Sequence, residues 1–443
     1  MNALHDSAHR EYRSIPDTFL NRTATGRAFS LSLSSHIVVF LFTFLLIFSR
    51  RPDALLRAQF YAEDGAIWFH DAYTFGWAHA LFLPYNGYMQ LLPRLVAGLA
   101  LLVPFQFAPL VMNVVGIALQ AMLVNFLLSA ETAGWAPFRL RVLWACAYIA
   151  LPNSSELHAT ITEGQWHLAL LACILALSPP VVNRPILRIV PLCLIALSGL
   201  TGPFCLVLLP ITIVAYYIRR EPSQRIVIAT LAISSAIQLW AIVTTAGSTR
   251  SHAPLGANAT GLLTIVAGRV YLAALLGKFA LAAQRSLASL VAIGVIGSTI
   301  MVYCVWRCTL ELRLLILFCV TIFSASLLNP MVSLTTPQWS VLSAAPGIHY
   351  WFLPMIAFIW SLLWCFTLAQ TIWVKRVSAA LLALMCVGIA RDWNYPRQKD
   401  EHYAAQAARF AAARVGSVVE IPIFPEGWTV RLRKKDARER DGP

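Results

Sequence analysis

Residues 31–49 read LSLSSHIVVFLFTFLLIFS, the first long apolar run of the chain. A helix that crosses the hydrocarbon core of a bilayer needs about 20 apolar residues, so this run predicts a membrane-spanning helix. Residues 49–52 read SRRP and offer no small-residue cleavage site, which favours a retained helix over a cleaved signal peptide. A polar stretch, YAEDG at residues 61–65, follows closely.

Composition indicates the same class of protein. Of the 443 residues, 58% are hydrophobic and 12% are charged, whereas a soluble domain carries about 25% charged residues. Apolar runs occur at 31–49, 107–130, 138–152, 166–178, 188–200, 204–218, 226–248, 287–306, 312–328, 351–373 and 377–390. We therefore predict an all-α polytopic membrane protein with about 11 transmembrane helices.

Basic residues are grouped between the apolar runs, as in cytoplasmic loops. The groups are Arg139/Arg141, Arg184/Arg188, Arg219/Arg220/Arg225, Arg307/Arg313 and Lys375/Arg376. Loops 153–165 and 329–350 contain no Lys or Arg. This predicts a cytoplasmic N-terminal tail, 1–30, and an extracytoplasmic loop, 50–87. Because the basic residues are spread over short loops between apolar runs, we interpret the net charge of +14 as a feature of membrane topology and do not expect nucleic-acid binding.

Two apolar segments must not cross the membrane fully if this topology is correct. Segment 88–104 contains Pro93 and Arg94, and segment 263–285 contains three basic residues. We predict a re-entrant or surface helix for each segment, with an ordinary tilted span as the alternative.

The last part of the chain differs in composition from the rest. The membrane domain is predicted to cover 31–390, and residues 391–443 form a small tail. An Ala/Arg-rich stretch at 403–415 predicts a helix, and residues 418–423 predict a strand that ends in a turn. The topology places this α+β tail outside the cytoplasm.

Acidic residues indicate where chemistry could occur, because a carboxylate is expensive in a membrane protein. Between residues 50 and 390 there are nine, and six of them fall in the two predicted outside loops, 50–87 and 153–165. The other three, Glu131, Glu221 and Glu311, lie beside basic residues. We interpret these three as solvated charges of cytoplasmic loops.

The first outside loop contains Glu63, Asp64 and Asp71 among many aromatic residues, which predicts a position on the membrane surface. In a helix over 63–73, Asp64, Trp68 and Asp71 would share one face. A carboxylate flanked by aromatic rings is partly desolvated, which raises its pKa towards that of a useful base. We predict Glu63 and Asp64 as catalytic residues and Asp71 as a substrate contact. The alternative is that these acids stabilise the helix N-terminus.

The second outside loop combines acids, histidines and amides. Glu156 with His158, and Glu163 with His167, could hold a divalent cation, but the spacing is not that of a zinc site. No metal ligand or firm cofactor is therefore assigned, and a divalent cation stays an open alternative. We predict that Glu156, Glu163, Gln165 and His167 form a substrate rim; the alternative is a solvated loop.

Cations that could bind a phosphate group on the outside are few. We predict Arg94, Arg250 and His349 for this role, with contacts to lipid headgroups as the alternative. The sequence contains no phosphate loop, no GxSxG and no nucleotide fingerprint, which argues against soluble nucleotide chemistry.

Three motifs in this layout resemble the GT-C superfamily of membrane glycosyltransferases. The first is Glu63-Asp64, directly after the first helix. The second runs from Pro152 to residues 163–166, and the third is GIHYWFLP at 347–354, similar to a late G-x-[RH]-Y-[FW] stretch. The resemblance covers residues 30–390 in layout. In departure from the family pattern, the second loop has no Asp-x-Asp, and we expect residues 391–443 to form a small tail and not a large C-terminal domain.

The resemblance implies a reaction and a location. A sugar on a polyprenyl phosphate would enter from the membrane lipid, and Asp64 or Glu63 would deprotonate a hydroxyl of a glycan acceptor. The hydroxyl would invert the anomeric carbon, and His349 and Tyr350 would contact substrate. We expect this at the extracytoplasmic face of a bacterial inner membrane. The alternatives are a transporter, flippase or polymerase of lipid-linked saccharides, and a non-catalytic membrane scaffold.

Overall fold

The computed structural model describes residues 31–178, 185–249, 251–278, 286–344 and 349–436. Most of these residues are helical, and the single small sheet lies in the tail. Within the described part of the chain, eight helices are long and apolar enough to cross a membrane. They are Leu33–Arg50, Phe105–Leu127, Gln224–Thr245, Ala259–Leu276, Leu287–Arg307, Leu310–Leu328, His349–Leu368 and Ile372–Asp392.

Shorter helices fill the positions of the remaining predicted spans. They are Phe138–Ile149, Gly164–Leu177, Pro185–Gly199 and Cys205–Arg219. Pro191 and Pro210 lie inside two of them, where neighbouring helices must compensate for the lost backbone hydrogen bonds. The polytopic all-helical class is therefore confirmed, while the predicted number of 11 crossings stays a prediction.

One end of the helix bundle collects the loops that were predicted to lie outside. The Arg50 guanidinium donates hydrogen bonds to the carbonyl oxygens of Ile149, at 2.6 Å, and Asp392, at 3.3 Å. The Asp392 carboxylate accepts a hydrogen bond of 2.7 Å from the backbone N–H of Asn153. Three helix ends, distant in sequence, therefore meet here. We call this the site end.

The opposite end collects basic loops. Arg219 donates to the carbonyl oxygen of Leu177, at 2.6 Å, and forms an ion pair with Glu311. Trp135 connects these segments to the 129–141 loop, because its indole N–H donates to Ser178 and its carbonyl accepts from Thr309. The grouping of basic loops at one end agrees with the predicted topology, and which compartment each end faces stays a prediction.

The two segments predicted not to cross the membrane form helices of different length. Helix Leu91–Leu101 has 11 residues, too few to cross a bilayer. Helix Ala259–Leu276 has 18, enough by length and composition. However, the carbonyl oxygen of Pro254, which precedes this helix, accepts a hydrogen bond from the backbone N–H of Gln338. Lys278, which follows the helix, lies 3.7 Å from Asp392.

Both flanks of helix Ala259–Leu276 therefore contact the site end. Segment 331–339 belongs to that end because the backbone N–H of Met331 donates to the hydroxyl of Tyr350, beside His349. Residues 264–272 of this helix are π-helical, a local widening that often occurs at functional or strained positions. These contacts favour the predicted surface or re-entrant helix over a crossing.

The first outside loop is helical where the sequence predicted it. The π-helical turn Asp64–Phe69 continues into helix His70–Phe75. The loop does not lie on the membrane surface as a whole, however, because Phe60, Trp68 and Phe69 are buried. The exposed aromatic residues of the loop are Phe75, Trp77 and Phe82, and only these are suited to the membrane interface.

The tail has the predicted α+β character. Helix Tyr403–Ala412 precedes strands Val418–Ile423 and Trp428–Arg433, which pair antiparallel. The tail packs on the first outside loop, since Phe424 accepts a 2.6 Å hydrogen bond from the backbone N–H of Ala62. Aromatic rings from both parts pack together at 5.1–6.1 Å: Phe60, Phe69, Phe105, Tyr403 and Phe410. The tail therefore belongs to the site end.

The packing of helix Ile372–Asp392 against helix Ala259–Leu276 can be tested at a close backbone contact. A Cβ atom at Gly388 would clash with the carbonyl oxygen of Leu275, so Gly388→Ala must push the two helices apart. We expect a loss of about 1–3 kcal/mol in stability, measured as a lower melting temperature in detergent. Gly134→Ala is the matched control, because nothing described lies within 4 Å of its Cβ position. Equal melting temperatures for Gly388→Ala and Gly134→Ala would contradict the close packing of these two helices.

Candidate functional site

Two acids of the second outside loop converge on one late histidine. His349 Nδ1 lies 2.9 Å from Glu156 Oε1 and 3.7 Å from Glu163 Oε1. One ligand atom from each of the three residues lies within 4.8 Å of the others. We call Glu156, Glu163 and His349 the carboxylate–histidine cluster. Its members come from two segments 193 residues apart, which the helix bundle brings together at the site end.

Glu163 is the most buried member of the cluster. It precedes helix Gly164–Leu177, in which every residue is buried, and only 7% of Glu163 is exposed. Burial raises its pKa; His349 opposes the shift, and the charges of Glu156, Glu63 and Asp64 add to it. Within the described residues, its Oε2 atom has no hydrogen-bond partner. The cluster therefore contains a buried carboxylate oxygen that has no donor in the part of the chain that the structure describes.

Glu63 stands beside this cluster and is half-buried. Burial raises the pKa of Glu63; its own backbone N–H and His349 lower it, and Glu156 raises it further. No other residue in the described ranges donates a hydrogen bond to its carboxylate. A raised pKa and an unoccupied carboxylate are the properties that a general base requires.

Asp64 has the opposite environment. Its carboxylate accepts four hydrogen bonds from loop two, at 2.6–3.2 Å, from the hydroxyls of Thr160 and Thr162 and the backbone N–H groups of Ile161 and Thr162. Only 1% of Asp64 is exposed. Burial raises its pKa to about 6; the hydrogen bonds from Thr162 and Ile161 oppose that shift, and the charge of Glu63 adds to it. Asp64 is thus ionised at neutral pH and fixes loop two against loop one.

The geometry therefore separates the two acids that the sequence left as equal candidates. Asp64 directs its oxygens at loop two and has no free face for a substrate. We assign it a positioning role and keep Glu63 as the candidate base.

A buried chain of contacts continues from Asp64 along its helix. The Trp68 indole N–H donates to Thr162 at 2.8 Å, and the Arg94 guanidinium carbon lies 5.1 Å from the Trp68 ring centroid. Arg94 in turn donates to Asp71 at 3.1 Å. Asp64, Trp68 and Asp71 are linked by these contacts; Asp64 and Trp68 are buried, and Asp71 is half-buried. Asp71 and Arg94 form an ion pair with each other, and the substrate contacts predicted for them stay predictions.

Two other predicted rim residues, Gln165 and His167, make hydrogen bonds inside the protein. Gln165 accepts a hydrogen bond from Gln90 at 3.3 Å. His167 uses both ring nitrogens, Nδ1 with the Tyr148 hydroxyl at 2.8 Å and Nε2 with the Leu157 carbonyl at 3.2 Å. His167 is 4% exposed, and the substrate contact predicted for it stays a prediction.

The remaining predictions have mixed outcomes. The ring of Tyr350 lies 4.1 Å from that of His349, and its hydroxyl accepts from Met331, so Tyr350 helps to orient His349. Of the predicted cations, His349 joins the cluster, whereas Arg250 lies outside the described residues. The proposed Glu156–His158 and Glu163–His167 pairs are replaced by the shared partner His349.

Sequence reasoning missed Tyr61, which lies beside the cluster, and Arg51, which lies near Tyr61. Burial raises the pKa of Tyr61, and the charges of Glu156 and Glu163 raise it further, while Arg51 lowers it. Arg51 is only 6% exposed, and within the described ranges its Nε atom has no hydrogen-bond partner. A signal was present in the sequence, because Arg50 and Arg51 lie at the end of the first helix where the topology expects no basic pair.

No family model, no curated protein and no solved structure matches this chain. The functional assignment therefore depends on the chemistry of the site end.

Proposed function

We propose that this protein is an inverting glycosyltransferase that moves a sugar from a polyprenyl phosphate to a hydroxyl of a glycan or lipid-linked glycan. One observation carries the proposal. A half-buried carboxylate with a raised pKa, Glu63, stands beside the carboxylate–histidine cluster at the end of an apolar helix bundle. A base at the edge of a membrane bundle suits an acceptor in water and a donor in lipid.

The chemistry follows from the residues present. Glu63 takes the proton of the acceptor hydroxyl. At the same time the hydroxyl oxygen bonds to the anomeric carbon, on the face opposite the phosphate. The bond between the anomeric carbon and the phosphate oxygen breaks, and the phosphate leaves with the electron pair. Arg51, a buried cation near Tyr61, would stabilise the charge that develops on the phosphate. Asp64 keeps loop two in place beside the reacting groups.

The resemblance to GT-C glycosyltransferases adds support at Glu63 and at residues 347–354. As part of this proposal, the site end faces the extracytoplasmic side of a bacterial inner membrane, and the donor enters from the lipid.

The test is transfer by purified full-length protein in nanodiscs. We would supply radiolabelled polyprenyl-phosphate sugars with glycan acceptors and determine the anomeric configuration of the product by NMR. We expect one lipid phosphate released per sugar transferred, with inverted configuration. Movement of the intact lipid-linked saccharide across a sealed bilayer, with no bond broken, would instead identify a transporter.

The pH dependence of the reaction follows from the base. Glu63 must be ionised to take a proton, so activity is present above its pKa and is lost as pH falls through it. Because burial raises that pKa above the ordinary value of 4.5, we expect the acid limb of kcat/KM to lie above pH 4.5. A limb that is unchanged in Glu63→Asp would contradict the assignment of this residue as the titrating base.

A further inference from the structure

Loop two and the late helix present three potential metal ligands to one point. They are Glu156, Glu163 and His349, and the sequence separates the first from the last by 193 residues. Spacing within loop two alone gave no metal motif, because the third ligand comes from elsewhere in the chain. We propose that these three residues bind one divalent first-row metal ion, with Mn²⁺ and Zn²⁺ as the best-suited ions.

The distances fit such an ion. Bonds of about 2.0–2.2 Å to nitrogen and oxygen place neighbouring ligand atoms about 3.0–3.5 Å apart in tetrahedral or octahedral geometry. The observed separations from His349 Nδ1 are 2.9 Å to Glu156 and 3.7 Å to Glu163. All three ligand atoms lie within 4.8 Å of one another, so small side-chain movements would bring them to these distances. Two carboxylates with one imidazole suit Mn²⁺ and Zn²⁺ better than Ca²⁺, which prefers oxygen ligands alone.

An ion pair between His349 and Glu156 would leave the Glu163 carboxylate without a partner among the described residues. A protonated His349 has one N–H at Nδ1, and the nearer oxygen of Glu156 takes it. Glu163 is then left at 3.7 Å with Oε2 buried and without a partner among the described residues. A buried carboxylate without a donor is costly. A divalent ion bonds to both carboxylates and to the neutral imidazole, and it compensates the charge.

The protein also holds the ligands in place. The His349 ring packs against Trp166, at 5.7 Å between centroids, and against Tyr350, at 4.1 Å. Glu163 is fixed by the buried helix that follows it. Rigid support of this kind is typical of metal ligands. The ion would lie beside Glu63, where it can contact the leaving phosphate; this role rests on the proposed function, whereas ion binding does not.

The test measures metal binding directly. Full-length protein in nanodiscs would be stripped with EDTA, then titrated with Mn²⁺ under EPR and with Zn²⁺ under competition by a chromophoric chelator. Glu163→Gln and His349→Ala remove ligands. His79→Ala and Glu426→Gln are matched controls, since His79 and the exposed Glu426 lie outside the cluster. Melting temperature and gel filtration verify that each variant folds.

We expect one ion per chain, with affinity at least 10-fold weaker in both ligand variants and unchanged in both controls. ESEEM of the Mn²⁺ form should show one coordinated nitrogen that is lost in His349→Ala. Absence of binding in wild type, or equal binding in all folded variants, would overturn the site. Metal binding without transfer would refute the proposed function alone. Transfer that survives EDTA with no bound ion would refute the role of the ion in transfer, whereas the binding titration decides whether the site exists.

Discussion

Replacement of Glu63 by glutamine is expected to lower kcat/KM for glycosyl transfer by about 10²–10⁴-fold, the usual contribution of a general base. The amide keeps the size of the side chain but cannot accept the hydroxyl proton. Because no other described residue donates a hydrogen bond to this carboxylate, the change should leave the melting temperature within about 1 °C of wild type. The measurement combines initial rates in nanodiscs with thermal unfolding of the same samples.

Two comparisons make this result specific. Glu426→Gln makes the same chemical change at an exposed position in the tail and should retain full activity. Glu63→Asp keeps the carboxylate and should recover part of the lost rate. Full activity in Glu63→Gln would remove Glu63 as the base and, with it, the observation on which the proposed function depends.

Replacement of Asp64 by alanine should act on stability first. Two buried backbone N–H groups, of Ile161 and Thr162, would lose their acceptor, at about 1–3 kcal/mol each. The expected loss is therefore about 2–6 kcal/mol, seen as a large fall in melting temperature in detergent. Asp64→Asn keeps one carbonyl oxygen but turns an N–H₂ group towards these donors, so it should fall between alanine and wild type.

The control for Asp64 is an aspartate with a weaker structural role. Asp400 accepts one hydrogen bond, from the backbone N–H of His402, at an exposed turn, where water can replace it. Asp400→Ala should therefore leave the melting temperature nearly unchanged. If Asp64→Ala were equally stable and inactive, the positioning role would be wrong and Asp64 itself would become the candidate base.

Much of the fold follows from local sequence patterns. Apolar runs of helix length predicted most of the long helices, because burial in lipid selects the same composition at every position of a span. The loop-one helix and the tail elements were also predictable, since period and turn residues act over a few positions. The grouping of basic loops at one end follows from charge, which is likewise readable along the chain.

Local patterns were less informative where a side chain has a distant partner. The aromatic residues of loop one read as a membrane-surface set, but Phe60, Trp68 and Phe69 pack inside the protein. Helix Ala259–Leu276 has the length and composition of a span, and only the contacts of its flanks with Gln338 and Asp392 place both at the site end.

The sequence by itself determined that this is a helical membrane protein in which two loops contain six of the nine acids between residues 50 and 390. The tertiary structure decided what those acids do. Glu63 and Asp64 are neighbours with the same chemistry, and they differ because Asp64 meets donors 96–98 residues away while Glu63 faces the cluster. His349 likewise gains its partners only when helix packing brings two loops together. Hydrogen bonds and charge interactions depend on distance in space, which local sequence does not encode.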